Sequence, residues 1–119
     1  MKSKSIVQER LEAGRNRLEI INREVEAQRM TVPVLGRGLR DIGKILESVQ
    51  KMVTSDKDVK FQVPINQRLD AGMNRISGII RTIEGSGMKV DDLNANLNQV
   101  TRAFDSIQEF VDLEIETLA

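Results

Sequence analysis

The first half of this 119-residue chain is repeated in its second half. An ungapped shift of 58 positions aligns residues 10–53 with residues 68–111, and 16 of the 44 aligned pairs are identical. Both copies carry the motif Ala-Gly-x-Asn-Arg, in residues 13–17 and again in residues 71–75. A chance overlap of two apolar periodicities would align apolar residues but not this motif, so the match indicates a tandem duplication. The fold must therefore accommodate two copies of one unit.

Each copy contains two segments in which apolar residues, with one glycine per copy, recur at alternating intervals of four and three positions. This spacing lines one side of an α-helix. The four predicted stripes are Val7, Leu11, Gly14, Leu18, Ile21 and Val25; Leu35, Leu39, Ile42, Leu46, Val49 and Val53; Ile65, Leu69, Gly72, Ile76, Ile79 and Ile83; and Leu93, Leu97, Val100, Phe104, Ile107 and Val111. No stretch alternates apolar and polar residues for long, so the sequence predicts an all-α fold.

Capping and turn signals divide each copy into two helices. Ser5 is the predicted N-cap of the first helix. The first hairpin is predicted to bend at residues 29–34, because proline at position 33 disfavours helical angles in the residue before it. The second is predicted to bend at residues 85–87, where Gly-Ser-Gly stops a helix. Residues 54–63 indicate a connecting loop, and Pro64 suits the first turn of the third helix.

The two copies, about residues 5–54 and 63–112, are therefore predicted to be helical hairpins. A single hairpin cannot bury its stripes alone, but two stacked hairpins can. We expect one domain over residues 1–119, an antiparallel four-helix bundle with coiled-coil-like packing and pseudo-two-fold symmetry. The alternative is that the hairpins open and pack against those of another subunit, which the connector also permits.

Two glycines occupy equivalent stripe positions, Gly14 and Gly72. Glycine inside a helix costs about 0.5–1 kcal/mol relative to alanine, so its presence twice at one register calls for a reason. We interpret the pair, with Ala13 and Ala71 beside it, as positions where another helix packs closely. The alternatives are a ligand slot opposite the glycines and a local weak point in each helix.

Composition excludes most kinds of active site. The chain has no cysteine and no histidine, which excludes disulfides, thiol nucleophiles, Cys/His zinc sites and histidine acid–base chemistry. Di-iron sites in four-helix bundles also require histidine, and Glu114 is the only carboxylate on a stripe. Phosphate-binding loops and dinucleotide-binding motifs are absent from the sequence. We therefore expect no catalytic residue, no cofactor, no metal and no small-molecule substrate.

The distribution of apolar and charged residues bears on location. No apolar run approaches the ~20 residues of a membrane span, and the first residues lead into charged sequence rather than a signal peptide. The net charge is zero, so no overall field attracts the chain to nucleic acid or to an anionic membrane. We expect no membrane insertion, no secretion by a signal peptide, and a location in the cytoplasm or within an assembled particle.

Four arginines at equivalent positions, the duplicated arginines, are Arg10, Arg17, Arg68 and Arg75. Their side chains can cover the edge of the core and pair with acidic neighbours, or they can form a ridge that contacts nucleic-acid phosphates. Residues 91–119 carry a net charge of −6, which makes the last helix the expected partner of these arginines and would repel a phosphate backbone. A small regulator that binds nucleic acid or a nucleic-acid enzyme is therefore the less favoured interpretation.

Apolar residues outside the stripes are the main functional signal, because exposed apolar groups on a helix often mark a partner surface. The predicted partner surface consists of Ile20, Met73 and Ile80 together with the acidic residues Asp105, Glu109 and Asp112. The sequence thus predicts a non-enzymatic structural protein that binds protein partners through its helix faces. We expect a homo- or hetero-oligomeric subunit of a larger assembly, such as a virion or another multi-subunit particle.

Overall fold

The four predicted helices are present in the computed structural model, which describes residues 4–118. They are α1 (Lys4–Glu26), α2 (Val32–Ser55), α3 (Gln62–Gly85) and α4 (Val90–Leu118). These residues contain no β-strand, which confirms the all-α prediction for the described part of the chain. The fourth helix has 29 residues and continues past residue 112, the predicted end of the second copy.

The apolar stripes form the core. Every stripe position predicted from the sequence is buried, the two glycines included. Each α-helix contributes its stripe to one cluster of side chains, with Val59 of the connector added to it. Burial of aliphatic side chains is the main favourable term in folding, so the repeated four-and-three spacing explains why the chain collapses as helices around a single core.

The helices pack around this core as a bundle. Neighbouring pairs along the chain contact each other, and α1 also contacts α4, which closes the ring. Within the described residues, the backbones of α1 and α3 do not approach each other closely, and neither do those of α2 and α4. The ring gives an elongated molecule of 46 × 22 × 18 Å. Residues on α1 and α3 therefore lie on opposite sides of the bundle.

Two predicted helix starts differ from the structure. Helix α1 already begins at Lys4, so Ser5 lies within its first turn and is not its N-cap. Helix α2 begins at Val32, with Thr31 at the N-cap, inside the segment predicted to bend. Pro33 occupies the first turn of α2, where its missing N–H costs nothing, so the proline starts the helix instead of delaying it.

The turn between α3 and α4 follows the prediction. Helix α3 ends at Gly85, and Gly87 has a φ angle of +82°, a left-handed conformation that glycine adopts without steric cost. The backbone N–H of Gly87 donates to the carbonyl oxygen of Thr82 at 2.9 Å, which satisfies one of the last carbonyls of the helix. Asp91 and Asp92 then lie in the first turn of α4, where negative charge is favourable.

The connector between the hairpins, residues 56–61, is shorter than predicted and is packed against the bundle. Val59 is buried in the core. The side-chain amide of Gln62 donates to the carbonyl oxygens of Val53 at 2.8 Å and Thr54 at 3.0 Å. These bonds satisfy carbonyls at the end of α2 and fix the start of α3 beside it.

Candidate interaction surfaces

The glycine of the first copy is packed against an aromatic ring. Gly14 is buried, and a Cβ atom added to it would lie 2.8 Å from Cε1 and 2.9 Å from Cζ of Phe104 on α4. The same atom would lie 3.3 Å from Cγ2 of Ile45 on α2. Separations this short are below ordinary contact distance, so the space that a side chain would fill is already taken by the neighbouring helices.

The glycine of the second copy has more room. A Cβ atom added to Gly72 would lie 3.4 Å from Cδ1 of Leu46 and 3.6 Å from Cβ of Ala103, which is ordinary contact. Both glycines thus lie against side chains of neighbouring helices. Ala13 and Ala71 are exposed and take no part in this packing, so that part of the prediction is wrong: they lie one residue away, on the outer side of their helices.

Two of the duplicated arginines make the same bond in each copy. The guanidinium group of Arg10 on α1 donates to the hydroxyl of Ser48 on α2. In the second copy, Nε of Arg68 on α3 donates to the hydroxyl of Ser106 on α4 at 2.7 Å. The Arg68 guanidinium also lies 4.5 Å from the ring centroid of Phe110, a cation–π contact. Each of these two arginines thus bonds one helix of its hairpin to the other.

The other two duplicated arginines also contact the neighbouring helix of their own hairpin. Arg17 lies 3.4 Å from a carboxylate oxygen of Asp41, and Arg75 donates to the side-chain oxygen of Asn96 at 3.4 Å. None of the four duplicated arginines forms an ion pair with α4 among the described residues. The expected ion pairing with the carboxylates of the acidic helix is therefore wrong. Arg68 and Arg75 do contact α4, but through Ser106, Phe110 and Asn96. Their polar partners are serine, aspartate and asparagine side chains on the other helix of the same hairpin.

The acidic face of α4 is partly neutralised by α1. Nε of Arg15 donates to a carboxylate oxygen of Asp105 at 2.7 Å, and this hydrogen bond is the main reason why the pKa of Arg15 is raised. The side-chain amide of Gln8 donates to a carboxylate oxygen of Asp112 at 3.1 Å. Glu109 is exposed. Two of the three acidic residues assigned to a partner surface are thus engaged within the chain.

The three apolar residues assigned to that surface do not lie together. Ile20 on α1 is 57% exposed. Met73 and Ile80 on α3 are only partly exposed and pack against the core. Because α1 and α3 lie on opposite sides of the ring, Ile20 cannot share one contiguous surface with the other two. The predicted partner surface is therefore divided, and only Ile20 of its apolar members is an exposed side chain.

A different apolar feature lies where the two hairpin turns meet. A cavity of about 200 Å³ opens between the turns at residues 27–31 and 86–89, and we call it the end cup. Apart from Gln28, its lining consists of four pairs related by the 58-residue shift: Val25 and Ile83, Met30 and Met88, Val32 and Val90, Leu35 and Leu93. Val32 and Val90 are 44% and 37% exposed at its rim, and the neighbouring Val34 is also exposed.

The sequence carries a signal for the end cup that the stripe analysis does not use. Methionine at positions 30 and 88 and valine at positions 32 and 90 are identical in the two copies, although none belongs to a stripe. Periodicity assigns residues to helix faces, and these residues lie in turns and at helix starts. They become one site only when both turns are brought to the same end of the bundle.

The opposite end of the bundle holds one buried carboxylate. Glu114 is buried, and one of its carboxylate oxygens accepts the backbone N–H of Phe61 in the connector. Its other oxygen, Oε2, has no hydrogen-bond partner among the described residues. The rings of Phe61 and Phe110 lie 5.8 Å apart at this end. Glu114 thus ties the connector to α4.

The described residues offer no metal site and no membrane span. Residues 4–118 contain no group of three or more acidic side chains placed to hold a metal ion. None of the helices, over the part of the chain that the structure covers, combines the length and apolar content that crossing a membrane requires. Comparison with protein-family models, curated proteins and solved structures finds no match.

Proposed function

We propose that this chain is a non-enzymatic helical module that binds proteins and serves as a subunit of a larger assembly, a virion or other multi-subunit particle being one such setting. The observation that supports this role is the end cup, an apolar opening with exposed valines at its rim. Exposed apolar groups gathered around a concavity are typical of protein-binding sites.

The contacts of the polar candidates also favour protein binding over nucleic-acid binding. Each of the duplicated arginines contacts a side chain of its own hairpin. A ridge that binds phosphates needs guanidinium groups free to contact the nucleic-acid backbone, where they displace the cations condensed on it. Arginines with partners between helices instead stabilise a rigid rod, the form that suits an architectural subunit.

We further propose that the hairpins close within one chain as an antiparallel bundle with pseudo-two-fold symmetry. The bond from Arg10 to Ser48 and the bond from Arg68 to Ser106 are related by the 58-residue shift. The contacts of the two glycines support the same relation. A Cβ atom added at Gly14 would meet residues 45 and 104, and one added at Gly72 would meet their counterparts, residues 103 and 46.

A further pair of bonds between the hairpins supports this symmetry. The side chain of Gln8 on α1 bonds that of Asp112 on α4. The equivalent residues are Asn66 on α3 and Thr54 on α2, and Nδ2 of Asn66 donates to the Thr54 hydroxyl at 3.4 Å. Both contacts join the beginning of one hairpin to the end of the other, which is what pseudo-two-fold symmetry between the hairpins requires.

The role as an assembly subunit is tested by native mass in two samples. Size-exclusion chromatography with light scattering is applied to the purified chain and, with immunodetection, to extract of its source. We expect the chain in the extract to elute in a complex well above its own 13.4 kDa. A strict monomer in both samples would contradict the proposal.

A further inference from the structure

We propose that the groove between α1 and α4 receives long cationic side chains from α2 of a second copy of this chain. This inference rests on the proposed function and names the partner and the contact. It is built on three observations: a carboxylate in the groove that has no partner, the division of charge around the ring, and a matching row of cations on α2.

The groove between α1 and α4, which we call the α1–α4 groove, suits a side chain that is apolar along its length and charged at its end. Its volume is about 440 Å³. Leu11 and Phe104 contribute apolar atoms to its lining, and Gln8, Glu12 and Gln108 contribute polar ones. Lysine and arginine lay an aliphatic stem along apolar surface and keep the charged head in polar surroundings. Such a head would meet the carboxylate of Glu12.

The equivalent position on the opposite side of the ring is bridged by a hydrogen bond. There the side-chain amide of Gln50 on α2 donates to a carboxylate oxygen of Asp70 on α3 at 2.7 Å. The counterparts under the 58-residue shift, Gln108 and Glu12, both line the α1–α4 groove. Gln108 donates instead to Asp112 of its own helix at 2.8 Å. Glu12 is exposed and has no hydrogen bond or ion pair among the described side chains, so its charge is available to a partner.

The other charged residues of the lining neutralise each other. They are Arg15 and Asp105, and Nε of Arg15 donates to a carboxylate oxygen of Asp105 at 2.7 Å. The carboxylate of Glu12 therefore leaves the lining with one net negative charge. This charge favours a cationic side chain over a neutral or anionic one.

The charge of the ring is divided between two opposite halves. Helices α1 and α4 together contain twelve acidic and six basic residues, a net charge of −6, whereas α2 and α3 contain four acidic and seven basic residues, a net charge of +3. The zero net charge of the chain therefore conceals one acidic side and one basic side. Opposite charges steer and orient association, so the acidic side of one copy attracts the basic side of another.

Two rows of charged residues have the same spacing. The acidic row on α1 and the basic row on α2 are, respectively, Glu12, Glu19 and Glu26, and Arg37, Lys44 and Lys51. All six residues are exposed, and neighbours in a row are seven residues, nearly two helical turns or about 10.5 Å, apart. Glu19 and Lys51 have ion pairs within their own helices, and the other four have none among the described side chains. The equal spacing lets the rows of two copies lie along each other with a cation opposite each glutamate.

The sides of the bundle are large enough for this contact. The Cα atoms alone extend 46 × 18 Å on the narrower side, about 830 Å², and side chains add to that area. A standard interface buries about 800 Å² on each partner. Because the α1–α4 groove and the basic row are different surfaces, the contact is heterologous and a dimer leaves one of each free. Further copies can then add to form a larger assembly.

Two variants reverse the charges of the rows. The groove variant reverses the acidic row alone, by Glu12→Lys, Glu19→Lys and Glu26→Lys. The swap variant reverses the basic row as well, by adding Arg37→Glu, Lys44→Glu and Lys51→Glu, so that its net charge is again zero. In the swap variant, opposite charges meet again wherever they meet in the original chain.

A third variant is the matched control. It combines the groove variant with charge reversal at three exposed basic residues outside both rows, by Lys57→Glu, Arg81→Glu and Lys89→Glu. Its net charge and number of substitutions equal those of the swap variant, so the two differ only in where the cations are removed. The ion pairs lost at Glu19 and Lys51 are exposed, and such pairs contribute little to stability. Urea midpoints of all three variants establish that they are folded.

Sedimentation velocity of the full chain measures self-association over a range of concentrations. At about 0.1 M salt, we expect the average mass of the original chain to rise with concentration from 13.4 kDa past that of a dimer. At about 1 M salt, where the screening length is about 3 Å, the Kd should rise at least about tenfold. At the lower salt, the groove and control variants should show a similar rise in Kd, and the swap variant should return to within about fivefold of the original chain.

Three results would overturn the inference. The first is an original chain that stays monomeric at every concentration in the lower salt. The second is a swap variant that associates no better than the control variant, because restoring opposite charges would then fail to restore the contact. The third is a control variant that associates as tightly as the original chain. If the purified chain is monomeric while the complex in the source extract persists, the assembly role stands and the partner is not a second copy.

Discussion

Alanine at the two equivalent glycines should have opposite effects on stability. Gly14 and Gly72 both lie mid-helix and are both buried, so each substitution gains the same intrinsic helix propensity, about 1 kcal/mol. The contacts differ. The new methyl group would meet the Phe104 ring at 2.8 Å in the first copy, and Leu46 at 3.4 Å in the second. The pair is a controlled comparison of the same substitution at two sites of one core.

The magnitudes follow from packing. Overfilling a close-packed core costs about 1–3 kcal/mol, and the Phe104 ring has little room to retreat because it is itself buried. Gly14→Ala is therefore expected to lower the free energy of unfolding by up to about 2 kcal/mol after the gain in propensity. Gly72→Ala should raise it by about 0.5–1 kcal/mol. The two variants should thus differ by about 0.5–3 kcal/mol.

Urea unfolding monitored by circular dichroism measures both changes. With a denaturant slope of about 1–3 kcal/mol per molar, the midpoints should differ by about 1 M. A double-mutant cycle with Phe104→Leu tests whether the cost of Gly14→Ala comes from the clash with the ring. Leucine is chosen because it is the residue at the equivalent position beside Gly72. We expect Phe104→Leu to offset part of the cost of Gly14→Ala, with a coupling energy of about 0.5–3 kcal/mol. Equal stabilisation by both alanines, or no coupling, would refute the reasoning.

Three further predictions concern the polar contacts. Hydrogen bonds from Arg40 are the main reason why the pKa of Glu84 lies below its ordinary value of 4.5. The pair's stabilising effect is therefore complete above pH 4.5 and is lost as the pH falls through the lowered pKa of Glu84. Between about pH 7 and pH 3, the urea midpoint of the original chain should therefore fall further than that of the Glu84→Gln variant. Glu114→Leu should cost about 1–3 kcal/mol and speed hydrogen exchange at the Phe61 amide, whereas Glu114→Gln keeps an acceptor and should change both less. Neither duplex nor single-stranded DNA should bind at about 50 mM salt; salt-sensitive binding lost on replacing the duplicated arginines with alanine would contradict their structural role.

The core could be predicted from the sequence because it depends on one periodicity. Leu39, for example, is buried because the stripe of its helix faces the core. The 58-residue repeat provides a second, equivalent position at which each such assignment can be checked. The turn at Gly87 was also predictable, since a left-handed residue favours glycine. These features depend on local chemistry or on regular spacing, and both are present in a single sequence.

The surface contacts could not be predicted in this way. Gln8 has the spacing of a capping partner for Ser5, yet its side chain bonds Asp112, a residue 104 positions away. The acidic helix was expected to pair with the duplicated arginines, but Arg15 is the residue that faces Asp105. Net charge by segment shows which helices attract each other, but the rotation of each helix decides which side chains meet.

Repetition in the sequence predicts which contacts are equivalent, but it does not predict how tightly each is packed. The side chains around Gly14 are the larger of two equivalent pairs. Isoleucine lies at position 45, where the other copy has alanine, and phenylalanine lies at position 104, where the other copy has leucine. The site around Gly72 receives both smaller ones. Each glycine faces one residue from its own copy and one from the other, so the filling of each site depends on both copies. A bundle built from two first copies would set Leu46 against Gly14, and one built from two second copies would set Phe104 against Gly72, so each would change the filling of a site that now matches its neighbours.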